Sequence, residues 1–415
     1  MFVGLSLDQA PPFQAPLKFF LVAPLFSLIA GLLLLNSDGV YLHSSYFIAS
    51  LHLMTIGFIV MIVFGALLQM LPVVAGAVIK NSLLIANITF GLLIFGLISF
   101  VFGFMLEDIA YFLISAILLF GGLFLFSYIV VYKLFIVQKK SWIIIGMILS
   151  LICFTVAFII GINLLLSYGT KNFSDLHTVF VYLHYNLIFF GFLFLLIASI
   201  SFQVIPMFWV SEPYKEYEKK IILITTISLL FLYIVDIAFE LQIYIIYKFL
   251  IGMISIYFAT LTIKKLYIRK RKLKDISVYF YYSSMVFLIL GIMFWFTLEF
   301  FKFDHILVGT FFGVGFVVTL MNGMLYKIVP FLTWFHLSSK GIFDIPTIRD
   351  MISVKKSELQ YIIHIMSIIL FSSGVLFNNQ YLITYGVTLF IISNMLLFVY
   401  LLGCAKIYFN KKGKI

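Results

Sequence analysis

The chain has 415 residues, of which 64% are hydrophobic, 19% aromatic and only 10% charged. A water-soluble domain carries roughly 45–50% apolar and about 25% charged residues, so this composition excludes a soluble globular protein, and its few charges and many aromatic residues exclude a disordered one. The composition instead predicts a chain whose main solvent is lipid, organised as a single transmembrane bundle over residues 1–415.

Twelve apolar runs follow one another along the chain, and each is long enough to span a membrane. A spanning helix needs about 20 predominantly apolar residues, and its backbone groups must be paired internally. Barrel strands would be shorter and would alternate apolar with polar residues, so the sequence predicts an all-α polytopic membrane protein. The predicted spans are 17–35, 46–71, 83–105, 109–132, 142–166, 178–205, 221–239, 243–263, 278–299, 306–332, 359–377 and 381–403.

The net charge of +11 is explained by where the basic residues lie between the spans. Cytoplasmic connections of membrane proteins are enriched in Lys and Arg. If the N-terminus is cytoplasmic, the even-numbered connections and the C-terminal tail hold 22 of the 27 basic residues, seven of them between spans eight and nine. This asymmetry predicts an N-in, C-in protein of the bacterial inner membrane, with the lipid bilayer and not nucleic acid as its partner.

Three of the predicted spans share a motif that starts with histidine and ends with proline. The motifs run from His52 to Pro72, from His184 to Pro206 and from His305 to Pro330, within the repeat-like segments 46–72, 178–206 and 305–330. They belong to spans two, six and ten, so the period of the repeat is four helices. A period of this kind predicts a bundle of three four-helix arcs.

The histidines of this motif are candidate cofactor ligands near the outer side of the membrane. His52 and His184 lie some residues inside their spans, His305 lies at the outer mouth, and His43 and His177 lie in or near the outer connections. Ionisable side chains in a bilayer are costly and usually functional, and neutral imidazole is a common metal ligand. We therefore predict cofactor-binding roles for His52, His184 and His305, and a metal site at His184 and His177.

Simpler interpretations remain open for these residues. A single histidine near a helix end is more often a hydrogen-bonded interfacial group than a ligand, and Asp304 with His305 fits an exposed loop pair equally well. His177 and His184 are seven residues apart, hence about 10.5 Å apart along a helix, and can bind one ion together only if the helix is broken. Lys327 either pairs with carbonyls that Pro330 frees or extends its charge to the membrane surface.

At these residues the sequence resembles subunit I of the haem–copper oxidase superfamily, and most of all the divergent NnrS-type membrane proteins and the nitric oxide reductase side of that group. The resemblance covers most of the chain: twelve helices, a threefold arrangement, and a histidine about twenty residues before a proline in helices two, six and ten. It implies that His52 is an axial ligand of a low-spin haem and that His184 matches a copper ligand approximately. The chain has no CxxCH motif, so the implied haem is b-type and non-covalent.

The sequence departs from the family pattern in two places. The family's His-x-His in helix ten is absent, because the residue twenty before Pro330 is Thr310, and His305 lies on a face about 140° away unless a bulge intervenes. The predicted span 221–239 contains no histidine, so the copper-binding pair is missing. We therefore predict at most one haem or one copper ion, with His305 as the expected second ligand beside His52 and span six as the alternative source.

Three functions remain open from the sequence. The first is a haem- or copper-binding membrane protein linked to nitric oxide or respiratory metabolism, with a respiratory-chain or c-type cytochrome partner. The second is a secondary transporter, although twelve-helix transporters repeat as two halves of six helices. The third is an accessory or assembly subunit of a respiratory oxidase. The chain contains no phosphate loop or nucleophile elbow, and enzymatic activity is left undecided. The sequence leaves the oligomeric state undecided as well.

Overall fold

The computed structural model describes residues 10–37, 40–42, 44–270, 272–301 and 304–412. Within these residues all regular structure is helical, and twelve helices are long and apolar enough to cross a membrane. The predicted all-α polytopic membrane fold is confirmed. The helices are α1 Gln14–Leu35, α2 Ser45–Ala75, α3 Ser82–Leu106, α4 Ile109–Phe135, α5 Trp142–Thr170, α6 His177–Trp209, α7 Glu216–Phe239, α8 Tyr244–Tyr267, α9 Ile276–Thr297, α10 His305–Ser338, α11 Val354–Leu376 and α12 Gln380–Lys412.

Short polar side chains mark the first residue of several helices. The first backbone N–H groups of a helix have no partner within it, and a Ser or Asp side chain that precedes the helix can accept from one of them. This hydrogen bond is present at five helices, which begin after Ser44, Asp108, Ser141, Asp275 and Asp304. The predicted helix starts agree with the observed ones within five residues, whereas several helices continue past their predicted ends, α12 by nine residues.

The twelve helices form a closed ring of three arcs, α1–α4, α5–α8 and α9–α12. The arcs meet where α4 packs on α5, α8 on α9 and α12 on α1. The second helix of each arc is the most enclosed: 67% of the most apolar stretch of α2 is buried, 78% of α6 and 83% of α10, against 33–61% for the other nine helices. The helices that carry the sequence repeat are therefore the inner helices of the bundle.

Each inner helix contains one π-helical segment at the same place in the repeat. The segments are Leu53–Val60 in α2, Leu187–Phe194 in α6 and Thr310–Val318 in α10. A Gly-Phe pair within each segment lies fifteen residues before the proline of that helix, at Gly57, Gly191 and Gly315. Because π-helical turns are rare, three of them in one register indicate a true internal repeat.

These three glycines bring each inner helix close to the helix before it. A Cβ atom at each glycine would approach a side chain of the preceding helix within 2.6 Å at Phe26 for Gly57, 2.7 Å at Cys153 for Gly191 and 2.8 Å at Phe287 for Gly315. Small residues at helix contacts allow such close approach in membranes, where association depends on packing rather than on a hydrophobic driving force.

The glycine and proline register changes how the histidines are aligned. It places His52, Asn186 and Thr310 at equivalent positions, each twenty residues before the proline of its helix. His184 then lies two residues before its equivalent position, and His305 lies five before. Because the π segments occupy the same register in all three inner helices, they do not rotate His305 onto the face that corresponds to His52.

Lys327 connects the second and third arcs at the end of the bundle where α1 begins and α12 ends. Its Nζ forms an ion pair with Asp275, which also accepts a hydrogen bond of 3.1 Å from Nε1 of Trp209. Its partner is thus a carboxylate and not a backbone carbonyl. Burial by itself raises the pKa of Asp275, but the charge of Lys327 and its hydrogen bond outweigh burial, so the pKa lies below the ordinary value.

Candidate functional site: a histidine pair between two arcs

His52 and His184 meet at matching depths on α2 and α6. His52 ends the eight-residue segment Ser45–His52, and His184 is the eighth residue of α6, which begins at His177. The centroids of the two imidazole rings are 6.5 Å apart, and the ring planes are inclined by 27°. The structure therefore brings together two of the three predicted cofactor ligands, from different arcs of the ring.

A backbone carbonyl occupies Nδ1 of each ring. Nδ1 of His52 lies 2.9 Å from the carbonyl oxygen of Ile48, and Nδ1 of His184 lies 2.8 Å from that of Ala157. A carbonyl can only accept, so we assign the proton to Nδ1 in both rings, which leaves a lone pair on Nε2 of each neutral imidazole. Metal-binding histidines commonly have their other ring nitrogen held in this way.

The surroundings hold each ring in place. A Cβ atom at Gly161 of α5 would lie 2.7 Å from Cε1 of His184, so only glycine leaves room for this imidazole. The ring of Phe100 on α3 lies 4.7 Å from that of His52. Both imidazoles are only partly buried. Sequence analysis missed Ala157 and Gly161, whose small-xxx-small spacing on α5 is the signal that could have indicated a close contact there.

His177 lies away from the pair. Its ring contacts Tyr168 at 5.9 Å and Phe173 at 4.8 Å. The helix is continuous from His177 through His184, so the seven-residue spacing separates the two residues by about 10.5 Å along the axis. Of the metal site predicted at His184 and His177, only His184 belongs to the histidine pair.

His305 is the first residue of α10 and is exposed. It follows Asp304, whose Oδ1 accepts a hydrogen bond of 2.9 Å from the backbone N–H of Ile306. No described residue forms a hydrogen bond or a ring contact with its imidazole. His43, the remaining histidine predicted near the outer connections, lies outside the described residues.

In the second arc a polar network occupies the position that corresponds to His52. Oδ1 of Asn186 accepts a hydrogen bond of 2.9 Å from the hydroxyl of Tyr247. The next residue, Lys248, has only 2% of its side chain exposed, forms a 2.6 Å ion pair with Glu299 and lies 5.0 Å from the centroid of Trp295. These contacts satisfy the polar groups internally, so the network has a structural role.

The donor set of the histidine pair is small and neutral. Among the residues that the structure describes, no three His, Cys, Asp or Glu side chains converge in a way that could hold a metal ion. Structural zinc needs four such ligands and calcium six or more oxygen atoms. Two imidazoles instead suit an ion whose other coordination positions are filled by something besides protein.

No protein-family model matches this sequence, and no curated protein matches it either.

Proposed function

We propose that the protein is an integral membrane haem protein in which His52 and His184 would hold one b-type haem. The pairing of two neutral imidazoles with free Nε2 atoms carries this proposal. Two metal–nitrogen bonds of about 2 Å each, together with the half-widths of both rings, place the ring centroids roughly 6 Å apart. The observed separation is 6.5 Å.

The neutral, aromatic surroundings favour haem over a bare ion. A copper or zinc ion held by two neutral imidazoles keeps its whole charge, and an uncompensated charge is costly in a low-dielectric site. A porphyrin carries two negative charges, which balance those of ferrous iron. The ring of Phe100, 4.7 Å from that of His52, supplies an apolar wall of the kind that suits a macrocycle.

The donor set suits electron transfer rather than catalysis. A haem held by His52 and His184 would supply one-electron transfer. In this chain the Nδ1 hydrogen bonds to Ile48 and Ala157 would hold the two imidazoles in the binding orientation. The helix that supplies copper-binding histidines in the haem–copper oxidases corresponds to α7, Glu216–Phe239, which contains none. A complete oxygen- or nitric-oxide-reducing centre is therefore not part of the proposal.

The arrangement of the helices supports the oxidase-like alternative over the transporter. Three arcs of four helices, with α2, α6 and α10 innermost, match the resemblance to subunit I of the haem–copper oxidases, whereas two six-helix halves are typical of twelve-helix transporters. We further propose that the basic face of the bundle, which holds 22 of the 27 Lys and Arg residues, is cytoplasmic. The histidine pair then lies toward the outer face, where a c-type cytochrome or respiratory partner would dock.

The test is a reduced-minus-oxidised absorption spectrum of the purified protein and of four variants. We expect a bis-histidine b-type spectrum that is lost or becomes high-spin in His52→Ala and in His184→Ala. His177→Ala and His305→Ala are matched controls and keep the wild-type spectrum. Wild-type protein without a Soret band refutes the proposal, as does loss of haem in His305→Ala with retention in His184→Ala. Copper without haem in elemental analysis would assign the pair to copper instead.

A further inference from the structure

Buried polar groups without protein partners are concentrated in the third arc. Among the described residues, ten of the seventeen buried side-chain nitrogen and oxygen atoms without a protein partner lie on α9–α12, and six lie on α1–α4. Six of the ten are both amide atoms of Asn322 on α10, the hydroxyl of Tyr326 on α10, Oε1 of Gln360 and Nδ1 of His364 on α11, and Oδ1 of Asn394 on α12. Tyr326 is 8% exposed and the other four are 0% exposed. Native proteins rarely leave such groups unpaired, and the cost is greatest in the membrane interior, so this concentration indicates something that satisfies them.

A hydrogen bond between Thr319 on α10 and His364 on α11 places these two side chains at the same depth in the bundle. Nε2 of His364 lies 2.8 Å from Oγ1 of Thr319, and the Thr319 hydroxyl donates in turn to the carbonyl of Val314 at 3.0 Å, across the π segment of α10. Oγ1 of Thr319 therefore accepts from Nε2 of His364. The lone pair of the neutral ring is then on Nδ1, the atom that lacks a protein partner.

Three amide side chains with an unpaired oxygen lie one helical turn closer to the basic face. Asn322 follows Thr319 by three residues, and Gln360 precedes His364 by four on the antiparallel helix α11. Nε2 of Gln360 donates to Oγ of Ser393 at 2.8 Å, which places the neighbouring residue Asn394 of α12 at the same level. We call Asn322, Gln360 and Asn394 the amide layer.

Two tyrosines continue from the amide layer to the basic face. Tyr326 lies one turn beyond Asn322 on α10, and Tyr400 lies six residues beyond Asn394 on α12. Tyr400 is partly exposed, and Nζ of the exposed Lys356 lies 5.8 Å from the centroid of its ring. Polar groups thus follow one another from the basic face to the middle of the bundle.

We propose that these groups line a water-filled inlet that opens at the basic face and ends at Nδ1 of His364. The unpaired groups include donors, on Asn322 and Tyr326, and acceptors, on all three amides and on His364. Water supplies both kinds of partner, and buried water typically bridges otherwise unsatisfied polar groups of this kind. The unpaired residues carry no formal charge, so water suits them better than an ion does. The last water of the inlet donates a hydrogen bond to His364.

Radiolytic footprinting of the wild-type protein tests the inlet, because hydroxyl radicals formed from bound water oxidise the side chains beside it. Tyr281 is the matched control: it is 2% exposed, and its hydroxyl is hydrogen-bonded to Ser201 at 2.9 Å. We expect Tyr326 to be oxidised several-fold faster than Tyr281, although both are buried. Equal rates for the two tyrosines would overturn the proposal.

A variant extends the test to the amide layer. Asn322→Leu removes both unpaired amide atoms next to Tyr326, so we expect it to slow the oxidation of Tyr326. Thr89→Val is the matched control, because Thr89 on α3 is also fully buried with an unpaired hydroxyl but lies outside the third arc. An unchanged oxidation rate of Tyr326 in folded Asn322→Leu contradicts the inlet, and the wild-type measurement stands if this variant does not fold.

Discussion

Replacement of Gly161 by alanine is the smallest change that should disturb the histidine pair. The added Cβ would lie 2.7 Å from Cε1 of His184, whereas carbon atoms in contact prefer about 3.5–4.0 Å. The imidazole must therefore move by roughly 1 Å. A shift of that size lengthens the 2.8 Å hydrogen bond from Nδ1 to the carbonyl of Ala157 beyond hydrogen-bonding distance, because N–H···O bonds in proteins have donor–acceptor distances of about 2.7–3.2 Å.

Two effects of opposite sign set the size of the change in stability. Alanine is better than glycine inside a helix by about 1 kcal/mol. Against this gain stand a lost hydrogen bond of about 1 kcal/mol and overpacking of about 1–3 kcal/mol. We expect Gly161→Ala to lower the free energy of unfolding by about 1–3 kcal/mol, the difference between these terms. Cofactor binding should fall further, since ligand positions must hold within about 0.5 Å.

The assay measures haem per protein and the thermal midpoint of the purified variant. Gly91→Ala is the control, because a Cβ at Gly91 of α3 meets no atom within 4 Å and should leave both quantities unchanged or raise the midpoint slightly. If Gly161→Ala binds haem as well as the wild type and melts at the same temperature, the position assigned to His184 is wrong.

Three further predictions concern the rest of the bundle. The pKa of Asp275 in the folded protein is lowered. Its ion pair therefore stabilises the protein at pH values above the unfolded-state pKa of about 3.9, and this stabilisation is lost as the pH falls through the lower folded-state pKa. Asp275→Asn should lower the thermal midpoint at neutral pH and make the midpoint decline less steeply in acid. Glu299→Gln leaves the charge of Lys248 buried without a partner and should lower the free energy of unfolding by about 3 kcal/mol. Lys248→Met should cost less, because it leaves a partly exposed carboxylate. Denaturation measurements in which Lys248→Met is the less stable variant would contradict this prediction. Gly315→Ala should cost about 1–3 kcal/mol through overpacking, whereas Gly313→Ala in the same π segment has open space and should be neutral; equal midpoints would show that close packing does not limit this position.

The repeat shows how far the sequence can be interpreted and where it misleads. The His-to-Pro motif identified three equivalent helices and showed that His305 lies five residues from the position of His52, but it aligned His184 with His52. The structure aligns the helices on Gly57 and its equivalents instead, because helix contact depends on the absent side chain of glycine. A histidine can move by several residues without changing the packing of the helix, whereas these glycines cannot.

The sequence by itself determined the twelve spans, their order and the segregation of basic residues, because a membrane imposes length and backbone pairing on each segment separately. Only the tertiary structure decided which helices are innermost, since lipid and protein core are equally apolar and hydropathy does not distinguish them. Only the tertiary structure, too, brought His52 to His184 and left His305 exposed. That pairing depends on contact between two arcs, which arises from the packing of side chains far apart along the chain.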